Sequence, residues 1–443
     1  MIDRRNMMGA SIAATALTAL PAFAAPKKAG ANGPFPRGFL WGAATAGHQV
    51  EGNNSNSDTW FLENTTPTVF AEPLGDAVNS FMLWQKDLDL VKSLGLNSYR
   101  FSIEWARIEP EPGQFSMAML NHYKAMVDGC RARGLAPIVT FNHFVSPRWF
   151  AAKGGWLNPE APELFARYCD KVARHFGAGI DHAITFNEPN ILRLLRITGL
   201  PPFILDKQRA MLAAAAKALN CEKFVTLNAA NWEDLDTMLP LLIAGHKAGK
   251  AAIKAVHPNL PVGVSLAMFD DQAVGENSVR DAKRAENYGA WLEAAKDDDF
   301  LGVQNYERVM WDGKGKVAPP AGSILNFSGS EVHAPSLAGA VRYAHAATGV
   351  PIMVTEHGVG TDDDSVRAKF IPAALKELKC AMNEGVPVKG YVHWSLLDNY
   401  EWVFGYKPHF GLATVDRTTF KRTPKPSASV YAAIARKNGR GDI

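Results

Sequence analysis

The chain has 443 residues, 47% of them hydrophobic and 21% charged, with a formal net charge of +3. That is the composition of a globular protein with ample core, and a charge so small and so evenly spread provides no basic stripe for nucleic acid and no pull toward an anionic membrane. The 11 Trp and 27 Pro lean toward aromatic faces and rigid loops, which suit carbohydrate sites.

Residues 1–24 carry the parts of an export signal. Arg4-Arg5 precedes Met7-Met8, a weakly apolar run extends from Gly9 to Leu20, and Ala22-Phe23-Ala24 stands before Ala25. The run is too short and too rich in Ala and Thr to span a membrane. The arginine pair resembles a twin-arginine signal, with an ordinary secretory signal as the alternative. Both imply cleavage and export, in a bacterium to the periplasm, with residues 25–443 as one mature domain that is not inserted in the membrane.

After a Gly/Pro/Lys-rich leader, short apolar runs alternate with helical patterns. The strands are predicted at Phe39–Ala44, Ser98–Ile103, Pro137–Phe141, His182–Phe186, Val262–Ala267, Phe300–Gln304, Ile352–Thr355 and Gly390–Trp394. Helices are predicted at Val78–Leu94, Ala118–Arg133, Pro162–Phe176, Leu239–Val256, Val279–Ala295, Ser336–Thr348, Ala368–Glu384 and Ser427–Ala435. In the first helix Phe81, Trp84, Leu88 and Val91 recur at spacings of three and four, one buried face. The strands are continuous apolar runs, as in a parallel sheet covered by helices. Eight such units without a composition break predict a single (β/α)8 barrel of the α/β class. A doubly wound open sheet would carry a Gly-rich phosphate loop after its first strand; Trp41-Gly42-Ala43-Ala44-Thr45-Ala46-Gly47 lacks that spacing. Long insertions at Ile191–Asp236 and Glu307–Pro335 fall on the C-terminal face of such a barrel.

The cysteines, Cys130, Cys169, Cys221 and Cys380, are widely spaced, and the 12 His show no ligand spacing. No metal and no cofactor is predicted.

Two apolar runs end alike. Val350-Pro351-Ile352-Met353-Val354-Thr355-Glu356 and Ala183-Ile184-Thr185-Phe186-Asn187-Glu188 each place a carboxylate at a strand mouth, where an ionised group is costly unless it is paired or used. Strands four and seven of a barrel end on the same face. Two carboxyls there can break a glycosidic bond, one protonating the leaving oxygen while the other attacks the sugar carbon. At about 5 Å and an effective dielectric of about 20, their repulsion is about 3 kcal/mol, or about two pKa units, so one stays protonated. The competing reading pairs both with arginines such as Arg100 in a structural network.

The residues around these glutamates resemble glycoside hydrolase family 1, the β-glucosidase family, along nearly the whole mature chain. The matching stretches are Phe39–Gly52, Tyr99–Ile108, Thr185–Pro189, Val354–Gly358 and Trp394–Trp402, in the family's order. The resemblance implies a retaining, exo-acting β-glycosidase with Glu188 as acid/base and Glu356 as nucleophile. It implies sugar contacts from Gln49, His143, Asn187, Asn305, Glu401 and Trp402, with Trp394 under the apolar face of the ring. Arg100 and Tyr306 are implied to support the nucleophile. The partner is then a small-molecule or oligosaccharide β-glycoside. Glu401 favours an unphosphorylated sugar, since members that take 6-phosphosugars lack that carboxylate. Transfer to an acceptor other than water, and sugar binding on an inactive scaffold, remain alternatives.

The chain also departs from the family. Asn305-Tyr306-Glu307 stands where Asn-Tyr-Tyr is usual, and a carboxyl at the second Tyr would crowd Glu356 unless Tyr306 takes over its bond. His48, Phe144, His357 and His409 replace a usual Tyr, Trp, Asn and Arg. In the first insertion Leu194, Leu195, Leu200, Pro201, Pro202 and Phe203 suggest either an apolar leaving-group wall or loop packing.

Overall fold

The computed structural model describes residues 33–441; the export signal read in residues 1–24 lies outside them. Eight strands close into a parallel barrel: β1 (Leu40–Ala44), β2 (Ser98–Ser102), β3 (Ala136–Asn142), β4 (His182–Asn187), β5 (Val262–Ala267), β6 (Phe300–Asn305), β7 (Ile352–His357) and β8 (Val388–Trp394). Each pairs with the next, and β8 pairs with β1 through the register Leu40–Gly390 to Ala44–Trp394. Strands β2, β5, β6 and β7 are buried along their whole length, as expected of a parallel sheet covered by helices, and most of their polar residues cluster toward the site.

Helices Ser80–Ser93, Met117–Ala132, Ala161–Phe176, Leu235–Val256, Arg280–Ala295, Ser336–Thr348, Asp364–Asn383 and Pro426–Arg436 clothe the outside. A large core lies between them and the strands, with Val91, Tyr123, Phe165, Tyr168, Trp291 and Leu375 among its buried members. A smaller cluster, Leu40, Ile138, Ile184, Phe300, Met353 and Val392, packs the inward-facing positions.

Two helices start about a full turn earlier than their sequence pattern suggests. Helix Leu235–Val256 passes through Pro240, where the sequence alone reads a helix beginning. Helix Asp364–Asn383 is capped by Asp363, whose side chain accepts from the Ser365 N–H at 2.9 Å. The insertions are structured. The first contains helices Ile191–Thr198 and Pro202–Ala218, and the second contributes Arg308–Trp311 and Lys316–Val317 to a three-stranded sheet with Asp270–Ala273. Cys130 and Cys169 are buried, and all four thiols are free. Among the described residues no helix is long and apolar enough to cross a membrane.

What positions the site is a slip of register at the C-terminal rim. Between β4 and β5, Ile184 faces Gly263 but Asn187 faces Ser265. Between β6 and β7, Val303 faces Val354 but Gln304 faces Glu356. One extra residue reverses the alternation of side chains. Phe186 thus packs outward on Trp156 and Phe165, while Asn187 and Glu356 both turn inward to reach Arg100.

Close strand approach demands glycine here. A Cβ on Gly263 would lie 2.2 Å from the Phe300 carbonyl oxygen, and one on Gly302 would lie 2.2 Å from Ser265 Oγ. Gly263→Ala is therefore expected to lower stability by about 1–3 kcal/mol, read as a reduced midpoint in denaturant unfolding. An unchanged midpoint would contradict this packing.

Candidate active site

The rim gathers residues from seven of the eight strand ends. Gln49 stands on helix Gly47–Glu51 after β1, Arg100 on β2, His143 just past β3, and Asn187 and Glu188 at the end of β4. Gln304, Asn305 and Tyr306 close β6, Glu356 lies in β7, and Trp394 ends β8. The β8 loop adds Glu401 and Trp402. All but Tyr306 and Trp402, which are half-buried, are buried.

Arg100 organises them. Its Nη1 donates to Glu356 Oε1 at 2.5 Å and to the Thr355 carbonyl at 3.1 Å, its Nη2 to Asn187 Oδ1 at 2.5 Å, and its Nε to Thr140 Oγ1 at 3.1 Å. The other Glu356 oxygen accepts the Tyr306 hydroxyl at 2.6 Å. Burial and the surrounding carboxylates hold the Tyr306 phenol well above its ordinary pKa, so it keeps the proton it donates. Glu307, read as a possible intruder, turns away: it interacts with Ser330 and Lys316, and burial raises its pKa.

Glu188 has a different environment. It takes a left-handed φ of 44°, held by its N–H on the Ser265 carbonyl at 2.8 Å. Phe144 and Trp402, with φ of 68° and 54°, share this uncommon conformation, which in non-glycine residues clusters at functional sites. No hydrogen bond from the described residues reaches the Glu188 carboxyl. Burial first, then repulsion from Glu356 and Glu401, raise its pKa well above the ordinary value, against a smaller lowering by Arg100. Burial also raises Glu356, but Arg100 and the Tyr306 bond pull it back. Glu356 is therefore the first of the pair to ionise.

Around this pair lie polar groups with capacity to spare. Gln49 Nε2 donates to the Tyr400 carbonyl at 2.7 Å and to Asn399 Oδ1 at 3.0 Å, leaving its Oε1 buried with no partner among the described residues. Asn187 Oδ1 accepts from both Arg100 and Gln304, so its Nδ2 is the donor to His143 Nε2 at 3.2 Å. Burial and Arg100 keep His143 neutral, which assigns its remaining proton to Nδ1, again without a partner among the described residues. Trp394 Nε1 donates to Glu401 Oε1 at 3.3 Å. Burial foremost, with repulsion from Glu356, raises the Glu401 pKa well above normal.

The rings of His48, Trp402, His143 and Trp394 lie nearly parallel in series, at interplanar angles of 3°, 14° and 21°. Behind Trp402, His48 Nε2 meets Glu63 Oε1 at 3.0 Å.

Two positions differ from the sequence reading. Asn305, expected among the sugar-contacting residues, directs its amide into the loop: Nδ2 donates to the Met268 and Glu307 carbonyls, and Oδ1 accepts from Ser336 Oγ. Gln304 went unnoticed, yet it anchors Asn187 at 2.7 Å; the available signal was an amide at the end of an otherwise apolar strand. Among the described residues no three His, Cys, Asp or Glu side chains are placed to hold a metal.

The Glycosyl hydrolase family 1 model matches residues 31–240 and 334–440. A β-glucosidase of Agrobacterium sp. is 30% identical over 442 residues, covering 90% of this chain and 95% of its own. The solved structure of β-glucosidase 1317 aligns with a TM-score of 0.87 at 41% identity, covering 91% of this chain and 100% of that one. That of β-glycosidase BGL167 aligns at 0.85 and 44% identity, covering 93% and 99%.

The separate surroundings of Tyr306 and Glu307 give a paired prediction. Tyr306→Phe removes a hydrogen bond to a charged group, and should lower turnover of an aryl β-glucoside about tenfold or more. Glu307→Gln should leave it within about twofold. The reverse ranking in steady-state kinetics would contradict the geometry.

Proposed function

The chain belongs to glycosyl hydrolase family 1, and on that premise we propose a retaining, exo-acting β-glycosidase that removes a terminal β-D-glucosyl or closely related unit. It is a glycoside hydrolase of the β-glucosidase type; the stereochemistry, the exo action and the residue roles are the proposal. The observation that carries them is the unequal treatment of two buried carboxyls. Glu356 is hydrogen-bonded by Arg100 and Tyr306, while on Glu188 burial and repulsion outweigh the more distant pull of Arg100.

In the first step a Glu356 oxygen attacks the anomeric carbon as Glu188 gives its proton to the departing oxygen. A covalent glycosyl ester forms and the aglycone leaves as an alcohol or phenol. In the second step Glu188, now ionised, takes a proton from water while the water oxygen attacks the same carbon and releases Glu356. The protonated Glu188 and ionised Glu356 are the starting states that this sequence needs.

The unfilled hydrogen-bonding capacity supports a polyhydroxylated ligand. Gln49 Oε1 offers an acceptor, His143 Nδ1 a donor, and Glu401 a carboxyl braced by Trp394. Hydroxyls both donate and accept, so they match such a mixed set. Exo action is supported by the burial of Gln49, Trp394 and Glu401, which closes one end of the pocket to a continuing chain. The reading of residues 1–24 adds export as a further proposal, tested by the N-terminal sequence of protein recovered from the periplasm; an intact Met1 there would contradict cleavage.

The pH profile tests the division of labour. Activity needs Glu356 ionised and Glu188 protonated, so kcat/KM should rise through the raised Glu356 pKa and fall through the higher Glu188 pKa. Glu188→Gln should abolish the alkaline fall and lower kcat by about 10²–10⁴ for unactivated leaving groups. For a nitrophenyl leaving group, which needs little protonation, the loss should be much smaller. Equal losses on both kinds of substrate would exclude Glu188 as the acid. The first sugar released, observed by NMR before mutarotation, should be the β anomer; an α anomer would exclude retention.

A further inference from the structure

The second insertion carries a hydrogen-bonded turn that presents apolar side chains, Ile324, Leu325 and Phe327. Residues 324–332 fold back on themselves through Val332 N–H to the Ile324 carbonyl and Asn326 N–H to the Ser330 carbonyl, both 2.8 Å. The Asn326 side chain accepts from the Ser328 and Ser330 N–H groups at 3.0 Å each. Phe327 sits at the tip, and its N–H donates to the Gly360 carbonyl at 3.0 Å, four residues past Glu356.

From there a ladder of edge-to-face rings leads back to the proposed nucleophile. Phe404 meets Phe327 at 5.3 Å and 82°, Phe327 meets Phe410 at 5.5 Å and 80°, and Phe410 meets Tyr306 at 5.7 Å and 80°. Tyr306 itself donates to Glu356. Gly360 makes room for this contact: a Cβ there would lie 2.4 Å from Phe327 Cδ1 and 2.8 Å from Phe410 Cζ.

The inner rung, Phe410, is buried, but Phe327 is 42% and Phe404 51% exposed, and Ile324, Leu325 and Val403 are exposed beside them. Both ends of the ladder join the pocket. Tyr306 touches Glu356, and Phe404 shares the short turn Trp402–Phe404 with the residue proposed to contact the sugar. Rings fixed at a pocket rim and left open to water differ from scattered apolar residues. In the first insertion Leu192 and Leu195 pack into the main core and Leu194 is buried, while Phe203, though exposed, makes no ring contact among the described residues that would tie it to the pocket as the ladder ties Phe327 and Phe404.

We propose that Phe327 and Phe404 form the platform for the leaving group, and that the aglycone is a flat apolar one, of the phenol or polycyclic-alcohol class, rather than a second sugar. This rests on the β-glycosidase reading. A second sugar would need partners for its hydroxyls, and the aromatic and aliphatic side chains of Phe327, Phe404, Ile324, Leu325 and Val403 supply none. A planar ring gains stacking and apolar burial there.

The test compares 2-naphthyl β-glucoside with cellobiose on wild type and on Phe327→Ala/Phe404→Ala, with Phe404→Leu as a milder variant should the double one fold poorly. The double variant should raise KM for the naphthyl substrate about threefold to tenfold, from the loss of ring contacts, with kcat and the cellobiose constants within about twofold. Equal losses on both substrates, or an unchanged naphthyl KM, would overturn the platform. A fall from dimer to monomer in light scattering, with KM unchanged, would make the patch a contact between copies instead. Wild type that cleaves neither substrate would defeat the glycosidase reading itself, a distinguishable outcome.

Discussion

Arg100 is a guanidinium taken wholly out of water, and an ion so placed costs several kcal/mol unless its N–H groups find acceptors. Its acceptors come from β3, β4 and β7: Thr140, Asn187, and the Thr355 carbonyl with Glu356. A single side chain therefore fixes the relative heights of four strand ends. The extra residues in β4 and β7 make this possible, because without the change of alternation Asn187 and Glu356 would face the helices. Packing, register and charge thus converge on one group, and the placement of Glu356 depends on it.

From that anchor the electrostatics of the pocket follow. Burial alone would raise every carboxyl, and it does raise Glu188, Glu356 and Glu401. Only Glu356 receives both a cation and a phenol in return. Glu188 sits on a strained backbone and its carboxyl has no hydrogen bond among the described residues, which suits a group that must carry a proton and then release it. Trp402, also left-handed, is packed between the imidazoles of His48 and His143. The uncommon His48 thus supports the wall of the pocket from behind, with Glu63 bonded to its far nitrogen.

The barrel was legible because strands covered on both faces are mostly apolar, and the runs that open Ile352–His357 and fill Val262–Ala267 leave few other readings. Helix starts were less legible: Pro240 looks like a first-turn residue, and Asp363 gives its capping role away only through the bond to Ser365. The glutamates at the strand mouths could be named in advance because a carboxylate is unusual at the end of an apolar strand, whereas the roles of Arg100, Trp394 and Trp402 were legible only through the family resemblance. Whether Tyr306 or Glu307 meets Glu356 could not, since that depends on the path of the backbone after β6. Asn305 shows the same limit. An amide reads as a ligand group in sequence, yet here it braces the Met268 and Glu307 carbonyls. The ring ladder through Phe327 joins residues more than 70 positions apart, and no local pattern announces it.

The central claim is that Glu356 forms a bond to the sugar while Glu188 only moves a proton. A 2-deoxy-2-fluoro-β-glucosyl substrate with a good leaving group tests it most directly, because fluorine next to the anomeric carbon slows release of the intermediate more than its formation when the leaving group is good. After digestion, mass spectrometry should find one fluoroglucosyl unit on the peptide that contains Glu356. A label on the Glu188 peptide, or continued turnover with no label on either, would contradict it.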